Sequence, residues 1–307
     1  MPYRAQYSKF GGPEVIEIVE VPKDGPGAGE VSVRVVAAGL NPVDYKTIDR
    51  SAWMIPVSLP AGVGNDLAGV VDAVGDGVTR FAVGDAVYGR APQAALAEFA
   101  VTPASNLLPK PAGLSFVTAS ALPTAGRAAA VAVRTLGLTA RDTVLVSSAA
   151  GGVGIIAAQL AKLSGAVVVG SASNRNHELL SGLGVLPVMY GEGLVDRITT
   201  VAPQGITAAL DTHGVETIDA AIALGVPKER IVTVAAHGDD TRGTVAVRSM
   251  NATSDDVTSL VRAVAEGDVV LPIETVHGLD ELVTAYTTLR MGHVRGKIVV
   301  VVSSRKN

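Results

Sequence analysis

"SSAAGGVGIIAAQLAKLSGAVVVGSASNRN", residues Ser147 to Asn176, decides the fold of this chain. The apolar run "TVLVSS" (Thr143–Ser148) leads into it and reads as a short strand. A glycine cluster follows. Val153, Ile156, Leu160 and Leu163 then recur three or four apart, which predicts a helix that buries this stripe and leaves Gln159 and Lys162 off it. "AVVVGS" (Ala166–Ser171) is continuously apolar, as a strand covered on both faces would be. Strand, glycine turn, helix and strand within about 30 residues make the unit that cradles a dinucleotide.

The glycines carry the chemistry of that unit. Ser148, Gly151 and Gly154 fall three apart between strand and helix. Glycine permits a tight turn and close backbone approach, and the helix N-terminus offers unpaired N–H groups and partial positive charge. The G-x-G-x-x-G pattern is incomplete, because Ala149 or Ala150 stands where its first glycine would be. Ser148, Ala150, Gly151, Gly152, Val153 and Gly154 are therefore the expected pyrophosphate cradle.

The end of the next strand selects the cofactor. An acid about 20 residues after the glycines would hold the ribose 2′-hydroxyl of NAD. Here the chain reads "GSASNRN": Ser171, Ser173 and Asn174 are neutral and Arg175 is cationic. A guanidinium with nearby hydroxyl and amide groups suits a 2′-phosphate, so the expected cofactor is NADP(H).

Outward from this unit, "ITAALD" (Ile206–Asp211) and "RIVTVAA" (Arg230–Ala236) continue the strand–helix alternation of a doubly wound parallel sheet. The first third differs. "GEVSVRVVAAGL" (Gly29–Leu40) begins with alternating polarity, and "LAGVVDAVGDGV" and "FAVGDAVYGR" are short Val-rich runs broken by Gly-Asp turns. Such strands suggest a compact, partly open β-barrel. "LLPKPAGL" (Leu107–Leu114) reads as a linker, and the terminal "HVRGKIVVVV" reads as a turn and strand returning to the first domain. The expected division is 1–122 with 272–307, and 123–271.

Composition narrows the function classes. The net charge of −4, with no basic block, argues against nucleic acid as a partner. Absence of cysteine rules out disulfides and thiolate zinc sites. The start lacks a stretch of signal-peptide length, and "AAAVAVRTLGL" is too short and too interrupted by Arg134 to span a bilayer. A cytoplasmic protein without membrane partners is the expectation.

Five stretches in order, "AAGLNPVDYKTI" (Ala37–Ile48), "DLAGVVDAVGDGVTRFAVGDAVYG" (Asp66–Gly89), "ALPTAG" (Ala121–Gly126), "SSAAGGVGIIAAQLAK" (Ser147–Lys162) and "GHVRGKIVV" (Gly292–Val300), are similar to the zinc-independent quinone oxidoreductases of the medium-chain dehydrogenase/reductase superfamily. The resemblance implies an α/β chain with a GroES-like catalytic domain from both ends, a Rossmann domain between them, and a homodimer. "RIVTVAA" would suit the sheet edge that such dimers join. Zinc-dependent relatives carry a metal-binding cysteine near Asn41 and a His-Glu pair that "AGVGNDLAGVV" lacks. No two histidines lie at i, i+3 or i+4, so no local helical metal pair exists. Without a Lewis acid, quinones and conjugated enones become the natural hydride acceptors.

Reduction of such a substrate builds negative charge on an oxygen, which donors would stabilise. The resemblance places Asn41 and Tyr45 in the lining motif, with Tyr45 a donor, a proton source or a wall residue. Asp44 shapes the pocket or caps the helix that follows. Thr124 contacts nicotinamide or substrate, or bonds only locally; Arg295 and Lys297 approach the cofactor phosphates or ribose, or sit in an exposed turn. Asp211, His213 and His237 fall at the carboxyl-end rim where open sheets bind ligands. Arg127 stands where many relatives are apolar. The expected activity is NADPH-dependent transfer of hydride to a quinone or α,β-unsaturated carbonyl. Enoyl or alkenal reduction is the alternative, and an NADPH-holding scaffold is the alternative from another class.

Overall fold

The computed structural model describes residues 1–52 and 55–302. The chain divides into two compact units, Met1–Thr124 with Ile273–Asn307, and Ala125–Pro272. Residues 303–307, the end of the expected 272–307 segment, lie outside the described residues.

The N-terminal part of the first unit supplies strands β1 (Tyr3–Tyr7), β2 (Ile16–Glu20) and β3 (Glu30–Gly39), helix α1 (Pro42–Ile48), strands β4 (Ala61–Gly62), β5 (Asp66–Val74), β6 (Ala86–Arg90), β7 (Phe99–Pro103) and β8 (Leu107–Pro109), and helix α2 (Phe116–Ala121). The second unit begins within helix α3 (Pro123–Leu136). It continues as β9 (Thr143–Val146), α4 (Gly152–Leu163), β10 (Val167–Ser171), α5 (His177–Gly182), β11 (Leu186–Val188), α6 (Leu194–Val201), β12 (Ala208–Asp211), α7 (Val215–Ala223), β13 (Ile231–Thr233), β14 (Val245–Ala246) and α8 (Ser254–Glu266). The chain then returns to the first unit through β15 (Ile273–Gly278), α9 (Leu282–Met291) and β16 (Lys297–Val301).

Strand β3 organises the first unit. Val31, Val33 and Val35 belong to the core and Arg34 between two of them is exposed, while Ser32 is buried as well. It pairs with β5 along most of its length, with β7 over its first half and with β16 over its last residues. Register shifts at Ser32/Val33 and Val35/Ala37 increase the local twist. Among the described residues the sheet runs β15-β16-β3-β5-β6-β8, with β7 beside β3, and a second sheet runs β2-β1-β4. Tyr7, Leu40, Ile48, Leu67, Leu96, Leu107 and Tyr286 fill the core.

"LLPKPAGL" is not a linker. Leu107–Pro109 is β8, paired with β6, and α2 follows to pack on β3 and β5. The prolines sit at the strand end and in the turn after it, where a missing N–H costs nothing. The passage between units lies inside α3 instead.

In the second unit the described strands form one parallel sheet, in the order β11-β10-β9-β12-β13-β14. Counted from β9, this is 3-2-1-4-5-6, the Rossmann order, with its crevice at the ends of β9 and β12. Two sequence expectations change here. "RIVTVAA" supplies β13, which is flanked on both sides, and β14 is the edge. The buried face of α4 is not the Val153–Leu163 stripe: Leu163 is 56% exposed, whereas Gln159 is 6% exposed. Gln159 is buried because its amide mimics a strand partner, donating to Val270 O at 2.9 Å and accepting from Val270 N–H at 2.8 Å. Small residues Gly154, Ala157, Ala158 and Ala161 pack the helix closely instead.

Candidate functional site

The first unit holds a buried polar cluster. Asp66, at the start of β5, is fully buried. Its carboxylate accepts from Asn41 Nδ2 at 2.9 Å, from the Thr124 N–H at 2.9 Å and from the Thr124 hydroxyl at 2.6 Å. Asp44, on the first turn of α1, accepts from the Asn41 N–H at 2.8 Å, from Asn65 Nδ2 at 2.5 Å and from the Tyr286 hydroxyl at 3.0 Å. The Asn41 contact is the returning half of a capping box. Lys297, at the start of β16, donates its ammonium to Leu40 O at 2.5 Å and to Asn41 Oδ1 at 2.6 Å.

Burial sets the electrostatics of this cluster. It pushes the Asp44 carboxyl up to about 6, against the hydrogen bonds from Asn41 and Asn65. Burial lowers the Lys297 ammonium, opposed by Asp66 and Asp44. The Tyr286 hydroxyl is raised well above its ordinary value, first by burial and then by Asp44.

These bonds change what the expected residues can do. Asn41 is 3% exposed. Its amide hydrogens point to Asp66 and Gly39 O, and its oxygen receives Lys297. It is a framework residue with no N–H left for a ligand. Thr124 gives its hydroxyl hydrogen to Asp66 and offers only lone pairs. Lys297 is 4% exposed and bound to Leu40 and Asn41, so it is not in an exposed turn. Arg295 is half-buried, and its backbone N–H is held by Glu274 at 2.7 Å. Tyr45 is half-buried against the core. Among the described residues its hydroxyl makes no hydrogen bond. Burial raises it, with Asp49 adding and Arg290 opposing, so it stays protonated and able to donate at neutral pH.

Metal does not fit this donor set. Position 41 carries an amide whose oxygen already faces an ammonium, and both carboxylates are engaged by donors. Among the described residues no three His, Asp or Glu side chains converge on a possible ion.

The second unit holds the glycine turn. Ser148 has φ +45°, which carries the chain sharply out of β9. Gly151 donates to Ser148 O at 2.8 Å and caps α4. A Cβ on Gly154 would press into that same carbonyl, so only glycine lets the helix sit this close. The backbone N–H groups of Gly152, Val153 and Gly154 open the helix and have no intrahelical acceptor. Ala150 is buried beneath the turn, and Ala149 N–H is fixed to Ser171 O at 2.9 Å. Such a turn fits a pyrophosphate. At the end of β10, Ser171 is buried, Ser173 is half-buried, and Asn174 and Arg175 are exposed on a short 3₁₀ turn.

Beside the turn, Asp211 bonds to Ser147, His213, Gly214 and Thr233. The side chains of His213 and His237 are exposed. Arg127 donates to Ser249 O at 3.2 Å and Ala252 O at 3.3 Å, tying α3 to the loop before α8. Sequence reasoning missed Asp66, Asn65 and Tyr286. An acid opening the apolar run "DLAGVV" was the available signal for Asp66; Tyr286 lies 242 residues from its partner Asp44 and gave none.

Comparison with known proteins agrees with this architecture. Residues 27–112 match the "Alcohol dehydrogenase GroES-like domain" family and residues 152–266 the "Zinc-binding dehydrogenase" family. A chloroplast envelope quinone oxidoreductase homolog of Arabidopsis thaliana is 30% identical over 331 residues, spanning 96% of this chain and 97% of that one. A quinone oxidoreductase of Pseudomonas aeruginosa is 40% identical over 176 residues, 57% of this chain and 54% of that one, so the match spans about half the relative's length. The solved quinone oxidoreductase of Coxiella burnetii superposes with a TM-score of 0.88 at 30% identity, covering 98% of this chain and 99% of that one. No described helix is long and apolar enough to cross a membrane.

Proposed function

The chain belongs to the quinone oxidoreductase family of the medium-chain dehydrogenase/reductase superfamily, whose members bind a nicotinamide cofactor, and on that premise we propose that it is an NADPH-dependent, zinc-independent reductase of quinones or α,β-unsaturated carbonyls. One observation carries the choice of cofactor. The glycine turn opens at the sheet's switch point, and the strand beside it ends in Ser171, Ser173, Asn174 and Arg175 with no acid among them. That end of β10 would meet the 2′ position of the adenosine ribose, and a guanidinium there suits a phosphate.

Bound NADPH supplies the hydride. The chain's own groups then have separate tasks. The N–H groups of Gly152, Val153 and Gly154 hold the pyrophosphate, and Arg175 with its neighbouring hydroxyls holds the 2′-phosphate. Asp66 fixes Asn41 and Thr124, which makes Thr124 an acceptor for a ligand N–H. Lys297 serves this framework by orienting Asn41, and we assign it no phosphate. Tyr45 is the donor left to the developing oxyanion. The protein is read as a homodimer without nucleic-acid or membrane partners, acting in the cytoplasm.

The test is loss of the reduced-nicotinamide absorbance with an ortho-quinone, a para-quinone, an alkenal and a cyclic enone, each with NADPH and with NADH. Consumption of NADPH alone, with a quinone or enone, is expected. Consumption restricted to the alkenal and enone assigns the carbonyl class. Binding of NADPH without consumption of it by any acceptor overturns the reading in favour of a scaffold.

A further inference from the structure

Asp211 sits at the end of β12 and is fully buried. Its Oδ1 accepts from the Ser147 hydroxyl at 3.1 Å, the His213 N–H at 3.0 Å and the Gly214 N–H at 2.8 Å. Its Oδ2 accepts from the Thr233 hydroxyl at 2.6 Å. The hydroxyls pass the restraint onward. Ser147 Oγ accepts the Thr212 N–H at 2.7 Å, and the Thr212 hydroxyl returns a bond to Ser147 O at 2.7 Å. Thr233 Oγ1 accepts the N–H groups of Ala235 and Ala236 at 3.1 and 2.9 Å. One carboxylate thus ties together the chain leaving β9, β12 and β13 at the carboxyl end of the sheet.

The strand order gives that tie a direction. β10 lies on one side of β9, and β12 and β13 lie on the other. The two halves of a dinucleotide extend to opposite sides of its pyrophosphate. With the pyrophosphate over β9 and the adenosine phosphate at β10, the nicotinamide half must extend over β12 and β13. Ser147 precedes the glycine turn by one residue, so Asp211 links the pyrophosphate cradle to the nicotinamide side alone.

We propose that Asp211 is a positioning residue that sets the spacing between the pyrophosphate cradle and the rim loops carrying the nicotinamide half of the cofactor. The inference rests on the NADP(H) reading above. The carboxylate touches no ligand; it acts through Ser147, Thr212–Gly214 and Thr233–Ala236. An amide in its place offers one acceptor oxygen and turns an N–H2 toward groups that are themselves donors, so the loops separate.

The experiment compares two ligands on the full chain. NADPH spans both sides of the pyrophosphate, whereas adenosine 2′,5′-bisphosphate occupies the β9–β10 side only. Asp211→Asn and the milder Thr233→Val are titrated with each ligand, and melting temperature is recorded. For Asp211→Asn, NADPH affinity is expected to fall about tenfold or more while bisphosphate affinity stays within about twofold. Thr233→Val should show the same split at smaller size, and it decides the matter if Asp211→Asn does not fold. Equal losses for both ligands would show a fold-wide effect and overturn the proposal, and so would unchanged NADPH affinity. Failure of the wild-type protein to bind either ligand removes the NADP(H) reading itself, an outcome distinct from loss of the split.

Discussion

Asp66 receives both donors of Thr124, its backbone N–H at 2.9 Å and its hydroxyl at 2.6 Å, across 58 residues of sequence. The same carboxylate holds Asn41 Nδ2 at 2.9 Å. Asp66→Asn would set an amide N–H2 against groups that are themselves donors. Leaving a buried donor unmade costs about 1–3 kcal/mol, so urea denaturation should show a loss of about 2 kcal/mol. Turnover should fall as well, because Thr124 loses its fixed orientation, while NADPH affinity is retained through the glycine turn of the other unit. An unchanged urea midpoint would mean that the cluster does not hold Thr124.

Gly154 packs its Cα against the Ser148 carbonyl, and a methyl group there has no room. Gly154→Ala must displace either α4 or the turn, at a cost of about 1–3 kcal/mol for overpacking. The N–H groups proposed to hold the pyrophosphate move with the helix. NADPH affinity, followed by quenching or transfer of protein fluorescence, should fall at least about tenfold, together with the melting temperature. Retained affinity in a folded variant would place the cofactor elsewhere.

The doubly wound sheet was legible because its signals are local. "TVLVSS", the glycine cluster and "AVVVGS" each determine one element, and the alternation fixes their parallel order. The face of α4 was misread because Gln159 is polar in sequence yet buried by a pairing with Val270, 111 residues away. "LLPKPAGL" was misread for a related reason. Proline and glycine mark interruptions, and nothing local separates a gap between domains from a strand end. The polar cluster joins Asn41, Asp44, Asp66, Thr124, Tyr286 and Lys297 from the two ends of the chain. Motif resemblance could nominate Asn41, Thr124 and Lys297. Only the structure shows that the Asn41 amide and the Thr124 hydroxyl have already given their hydrogens and that the Lys297 ammonium is held by Leu40 and Asn41.

On the proposed reading, Arg175 separates the two nicotinamide cofactors. A charge-assisted contact to a 2′-phosphate is worth about 1.5–3 kcal/mol, or roughly ten- to a hundredfold in affinity. Arg175→Ala should weaken NADPH by that factor and leave NADH within about twofold. Parallel titrations at one ionic strength measure both. Equal losses would show that Arg175 supports the loop rather than the phosphate.

Tyr45 carries a hydroxyl with no partner among the described residues, in contrast to Thr124 and Asn41. Tyr45→Phe removes the donor and keeps the ring against the core. Turnover with the best acceptor of the panel should fall about tenfold or more, in the range of a lost transition-state donor. NADPH affinity should not change. Full turnover in the Phe variant would reduce Tyr45 to a wall residue.

Asp44 gives the first unit a pH signature. Its carboxyl stands at about 6 because burial opposes the charged form, and Asp66 adds to this while Lys297, Asn41 and Asn65 oppose it. Tyr286 faces the same carboxylate with a hydroxyl that stays protonated. In the unfolded chain Asp44 returns to its ordinary value of 3.8. Between these two values the folded protein holds a proton that the unfolded chain has released, so stability falls as pH rises from about 4 to about 6 and then levels off. The full span corresponds to roughly 3 kcal/mol. Other groups titrate in the same range, so the useful quantity is the wild-type stability minus that of Asp44→Asn, from urea melts between pH 4.5 and 7.5. That difference should decline through the acidic half of the series and stay flat above pH 6.5. A difference that is flat throughout would mean that Asp44 ionises in the folded cluster as readily as it does in water.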